Sequence, residues 1–84
     1  MKTYWQRCED AEKRLAAAAG AEGLQVQITI KDFDFTARFQ RGDSTWTTPE
    51  AIDIAVLEDD PSPTLDLLIE RAKREIETIE GEGR

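Results

Sequence analysis

Two carboxylate groupings stand out as sites where this chain could do chemistry: Asp32-Phe33-Asp34 and Glu58-Asp59-Asp60. The first has the D-x-D spacing of some metal and phosphate-sugar sites, and in a strand its two carboxylates would share the face opposite Phe33 and Phe35. Oxygen-ligand cation sites need more ligands and held waters than the first run supplies, while the second run offers at most a weak divalent-cation site. Asp32 and Asp34 therefore read as polar turn residues, and Glu58-Asp59-Asp60 as an exposed loop or a partner contact. Cys8 is the only cysteine. A nucleophilic thiol needs a neighbouring base or a lowered pKa, and the chain has no histidine. Cys8 instead sits at helical spacing among apolar residues and reads as a small core side chain.

Gly20-Ala21-Glu22-Gly23 is not a phosphate loop, because no Lys-Ser/Thr follows it and a helix precedes it. Arg41-Gly42-Asp43 matches an integrin tripeptide by letters only. No catalytic residue, no metal ligand set and no cofactor site is expected, and the chain reads as a non-enzymatic binding protein. With 84 residues it is expected to form one domain, 1–84. A domain of this size buries only about 60–65% of its unfolded surface, which leaves little room for a cleft.

The elements that would position these residues can be read from periodicity. Tyr4, Cys8, Ala11, Leu15 and Ala18 recur every three or four residues and predict a helix from about Thr3 to Ala19. Thr3 and Gln6 have capping-box spacing, Trp5 flanks the apolar stripe, and Gly20 suits the left-handed C′ position. Leu24, Val26, Ile28 and Ile30 alternate with polar residues and predict a half-buried strand. Phe33, Phe35, Ala37 and Phe39 predict a second strand, with the turn near Lys31-Asp32. Arg41-Gly42-Asp43 makes the next turn, and Ser44 to Thr47 a short third strand carrying Trp46.

Residues 50–57 read two ways. Thr48-Pro49 resembles a helix N-cap and first position, whereas Ile52, Ile54 and Val56 alternate. The acids at 58–60 also disfavour a helix C-terminus there, and the balance leans to a strand. Ser62-Pro63 then starts a last helix, with Asp66 in its first turn and a stripe of Leu65, Leu68, Ile69, Ala72, Ile76 and Ile79. Its far face offers Glu70–Arg74, Arg71–Glu75 and Lys73–Glu77 at four-residue spacing. Gly81 and Gly83 release a short tail. The expected fold is α+β: an N-terminal helix, an antiparallel sheet of two to four strands, and a C-terminal helix, with the helices covering the sheet.

Charge is unevenly distributed. The chain holds 18 acids and 11 bases, for a net −7. Residues 1–49 hold seven of each, so the whole excess lies in residues 50–84. A net negative chain disfavours direct binding of nucleic acid and anionic lipid. Carboxylates spaced along a helix and loop can imitate a row of phosphates on a basic groove. Glu58, Asp59, Asp60, Asp66, Glu70 and Glu77 are the acidic candidates for partner contact, with Trp5 and Trp46 as aromatic anchors. No apolar run approaches the ~18 residues of a membrane span, and no signal-peptide core opens the chain. A cytoplasmic protein is expected.

A short acidic α+β chain with an Ala-rich helix, a short antiparallel sheet and an acid-rich C-terminal part resembles small phage and prophage proteins, anti-CRISPR proteins among them. The likeness lies in class features across the whole chain, and no residue motif carries it. It implies a stoichiometric inhibitor that blocks a basic, nucleic-acid-binding surface, such as that of a CRISPR-Cas complex. The alternative is a structural or adaptor subunit that forms a homodimer, or packs into an assembly, through its helices.

Overall fold

Thr3 opens the first helix, and it does so by reciprocal capping. In the computed structural model, which describes residues 2–82, its hydroxyl accepts a hydrogen bond from Gln6 N at 3.2 Å. Gln6 Oε1 in turn accepts from Thr3 N at 2.9 Å. Helix α1 spans Tyr4–Ala21 and buries Cys8, Ala11, Leu15 and Ala19. It does not stop at Gly20 as the sequence suggests. Glu22 is the C-cap, and Gly23 (φ 75°) takes the left-handed conformation. Gly23 N then bonds Gly20 O at 3.0 Å, and Leu24 N bonds Ala19 O at 2.9 Å. This nested pair of bonds, with Gly23 in the left-handed conformation, turns the chain so that Leu24 enters the core.

Strand β1 (Gln25–Lys31) pairs antiparallel with β2 (Asp34–Arg41), from Gln25 opposite Gln40 to Lys31 opposite Asp34. The two-residue turn is Asp32-Phe33, one residue later than expected. Asp32 holds φ 59° there, a conformation an aspartate tolerates better than a lysine does. Phe33 therefore leaves the strand and is half exposed, while Phe35, Ala37 and Phe39 point inward. Asp32 and Asp34 consequently do not share a strand face. Gly42 (φ 59°) and Asp43 then turn the chain into β3 (Ser44–Thr47), which pairs with β2 from Arg41–Ser44 to Arg38–Thr47.

The segment after β3 is neither a continuous strand nor a helix capped by Thr48. The Thr48 hydroxyl accepts from Ala37 N at 3.0 Å, and Thr48 N donates to Ala37 O at 2.9 Å. Thr48 thus completes the β2 ladder where β3 ends. Strand β4 is only Ile52–Asp53, paired with Phe35 and Asp34 of β2. A single helical turn, α2 (Ala55–Glu58), follows. Asp53 Oδ1 accepts from Ala55 N at 2.9 Å and begins that turn. Ile54 and Leu57, three apart, both reach the core, so the alternation of Ile52, Ile54 and Val56 does not govern the segment.

Helix α3 spans Pro63–Glu82 and runs through Gly81, whereas Gly83 lies outside the described residues. Ser62 Oγ accepts from Leu65 N at 3.2 Å at its start. Leu65, Leu68, Ile69, Ala72 and Ile76 are buried, and Ile79 is half buried. The expected charge ladder forms once, as Glu70–Arg74 at 3.7 Å. Lys73 reaches Glu22 beyond α1 at 3.0 Å, and Arg71 lies 5.3 Å from the Trp46 ring centre. Two of the three expected partnerships are thus replaced by bonds that hold α3 onto the rest of the fold.

The sheet order is β1-β2-β3, with β4 also on β2. Helix α1 packs over β1 and α3 over β3. One core joins Leu15, Leu24, Phe35, Phe39, Ile54, Leu57, Leu65 and Ile76. The opposite sheet face stays polar, with Gln25, Gln27, Thr29, Lys31, Arg38 and Gln40 exposed. The architecture is the expected α+β arrangement, in two layers. No helix among the described residues is long and apolar enough to cross a membrane.

Candidate interaction surface

Folding brings the acid-rich second half of the chain against the bases of the first half. Glu58 pairs with Arg7 through Arg7 Nε–Oε1 at 2.8 Å and Nη2–Oε2 at 3.2 Å. Asp60 lies 3.4 Å from Arg14. Glu77 and Glu80 both meet Arg41, and the Glu80 contact is the closer. Glu70 pairs within α3. Of the six acids read from sequence, only Asp59 and Asp66 have no ion-pair partner among the described residues. Glu58, Asp59 and Asp60 do not form a chelating group, and no three Asp, Glu or Cys side chains among the described residues converge to hold a metal ion.

These pairs set the local electrostatics. The Glu58 carboxylate holds the Arg7 guanidinium above its ordinary pKa, and Glu80 does the same for Arg41. Lys2, 2.6 Å from Asp10, lowers that carboxyl below its ordinary value. The Cys8 thiol beside Tyr4 pushes the phenol up.

The two tryptophans have different environments. Trp46 stacks on Phe39, with ring centres 6.1 Å apart and planes 25° apart, and is half buried beneath Arg71. It packs the α3–sheet contact. Trp5 is 78% exposed. Its ring stands edge-on to Tyr4 at 5.3 Å, and Tyr4 stands edge-on to Phe33 at 5.6 Å. Arg7 lies 5.3 Å from the Phe33 ring centre while it holds Glu58.

The start of α1, the β1–β2 turn and β4 thus build one tip of the molecule. Asp34 and Asp53 stand directly opposite each other across β2 and β4 at that tip, both exposed. Asp32 sits in the turn beside them. Like charges opposed across a strand pair are unfavourable. Neither Asp34 nor Asp53 forms an ion pair within 4.0 Å among the described residues, although Lys31 stands opposite Asp34 on β1. Arg7 already covers one face of the Phe33 ring, so a partner would bury the exposed remainder of the ring and bring a cation to the two opposed carboxylates nearby. Phe33, Asp34 and Asp53 were not legible as a group, since the β2–β4 register depends on a two-residue strand. The one available signal was a phenylalanine between two aspartates next to the expected turn.

Comparison with protein-family models, with curated proteins and with solved structures returns no match to this chain.

Proposed function

We propose that this chain is a non-enzymatic binding protein whose acidic, aromatic tip seats on a basic surface of a larger protein. It acts there as a stoichiometric inhibitor of a nucleic-acid-binding site, in the manner of small phage proteins such as anti-CRISPR proteins. The observation that supports this reading is the half-exposed Phe33 beside the opposed Asp34 and Asp53. Burying an exposed aromatic ring is favourable, and a partner cation removes the repulsion between the two aspartates. The net −7 accelerates encounter with a positive surface. Asp59 and Asp66 remain available to widen the contact, whereas Glu58, Asp60 and Glu77 are already held by the protein's own arginines.

The experiment is capture from a lysate of the source cells on immobilised protein at low and high salt, with the captured protein identified and its affinity measured. The expected partner is basic, its affinity falls as salt rises, and it competes with nucleic acid. Phe33→Ala combined with Asp34→Asn should weaken binding at least tenfold. Neutralising Glu9, Asp10 and Glu12 on α1 should weaken it far less. Equal losses from both sets would remove the tip from the reading.

A further inference from the structure

The far side of β1 is open. In a two-residue hairpin the residues closing the turn exchange both backbone hydrogen bonds, and bonding then alternates along the strands. Lys31 and Asp34 close this turn. Lys31, Thr29, Gln27 and Gln25 therefore bond to β2. The bond from Thr48 N to Ala37 O agrees with that phase, because it shows Ala37 facing away from β1. Val26, Ile28 and Ile30 consequently direct their N–H and C=O groups outward at the free edge. Their side chains lie half buried on the helix side of the sheet.

Natural proteins protect such edges with charges, prolines, bulges or a covering element. Strand β1 reads QVQITIK, without proline or glycine and with one charge, at its end. A groove runs along it, lined by Val26, Ile28, Glu12 and Ala16 of α1. Trp5, Glu12 and Ala16 follow one line of the helix at spacings of seven and four residues. The most exposed aromatic residue therefore lies on the same flank as the open edge.

We propose that this edge binds a second copy of the chain, β1 against β1, antiparallel about a twofold axis at Ile28. That register places Ile28 opposite Ile28 and Val26 opposite Ile30, and satisfies all the outward groups with about six backbone hydrogen bonds. Apolar side chains meet apolar ones on the helix side. On the polar side Gln27 meets Thr29 and Gln25 meets Lys31, so no like charges are opposed. The edge strand and its groove carry Lys31, Glu12 and Lys13, a near-balanced set in a chain of net −7. A strongly basic partner gains little there, whereas an identical surface meets its own complement. The twofold axis carries Trp5 of each copy toward the C-terminal part of the other α1, where Ala16 and Gly20 leave room. Open space surrounds the position a side chain would take at Gly20. The dimer is a continuous sheet with both α1 helices on one face, and it displays two acidic tips.

The test is light scattering coupled to size exclusion at micromolar concentrations, together with amide exchange. The wild-type protein should run as a dimer, and the amides of Val26, Ile28 and Ile30 should become more protected as concentration rises. Gln27→Glu with Thr29→Glu opposes carboxylates across the twofold axis, while inside one copy the new carboxylate at position 27 faces Arg38. This acidic double variant should be a folded monomer with an unchanged circular dichroism spectrum. Mixing it with Gln27→Lys/Thr29→Lys should restore a dimer of one copy of each. Trp5→Ala should weaken dimerisation several-fold. A monomeric wild type, or an acidic double variant that stays dimeric, would overturn the proposal. Neither result bears on the tip, whose test is capture of a different protein.

Discussion

Arg7 and Glu58, 51 residues apart in the chain, meet through two parallel hydrogen bonds that tie α1 to α2. The same guanidinium lies on the Phe33 ring. Glu58 thereby positions one wall of the tip instead of projecting as a free acid. Glu58→Gln should lower the thermal midpoint and mobilise Arg7, whereas Asp59→Asn should leave the midpoint in place. Thermal unfolding followed by circular dichroism makes the comparison, and equal shifts would show that the ion pair contributes nothing to the fold.

Leu57 and Leu67 contrast burial at constant chemistry. Leu57 is 1% exposed beneath α1, and Leu67 is 65% exposed on α3. Leu57→Ala should cost about 2–5 kcal/mol, as buried leucine truncations do. Leu67→Ala should stay within about 0.5 kcal/mol. Urea unfolding gives both values. A large loss at Leu67 would mean that α3 is covered by something outside the chain.

Asp34 and Asp53 oppose each other across β2 and β4. Replacing Asp53 by Asn should stabilise the isolated protein by about 0.2–1 kcal/mol, the usual size of a cross-strand pair effect, whereas Asp34→Asn should gain less because Asp34 also faces Lys31 across β1. The same changes should weaken partner binding. Asp53→Ala should lose that gain, because Asp53 Oδ1 also accepts from Ala55 N. Stabilisation without any loss of partner affinity would separate the opposed pair from function.

Asp10 titrates below its ordinary value because Lys2 bonds to it. A lowered folded-state pKa stabilises the fold at pH values above the unfolded one, and that contribution is lost as pH falls through the folded value. Carbon-detected NMR titration should find Asp10 below the ordinary aspartate value. Lys2→Ala should bring it back toward that value. An unchanged titration in that variant would show that the contact does not persist in solution.

The sequence by itself determined the local elements. The Thr3–Gln6 cap, the strand alternation from Val26 to Ile30 and from Phe35 to Phe39, the Ser62 start of α3 and the stripe from Leu65 to Ile76 are all written in short-range spacing. Each follows from interactions between residues a few positions apart, as does the α+β class. Tertiary structure decided which acids are available. Arg7, Arg14 and Arg41 are near neighbours of no acid in residues 50–84, yet folding sets them against Glu58, Asp60 and Glu80. Composition alone could not show that five of the eleven acids in residues 50–84 find a base on folding. The two-residue β4 was hidden for the same reason, since it exists only where Thr48 and Ile54 are bonded to β2 and its turn. The open edge of β1 likewise follows from sheet order, because alternation shows that a strand forms but not which of its sides is left without a neighbour.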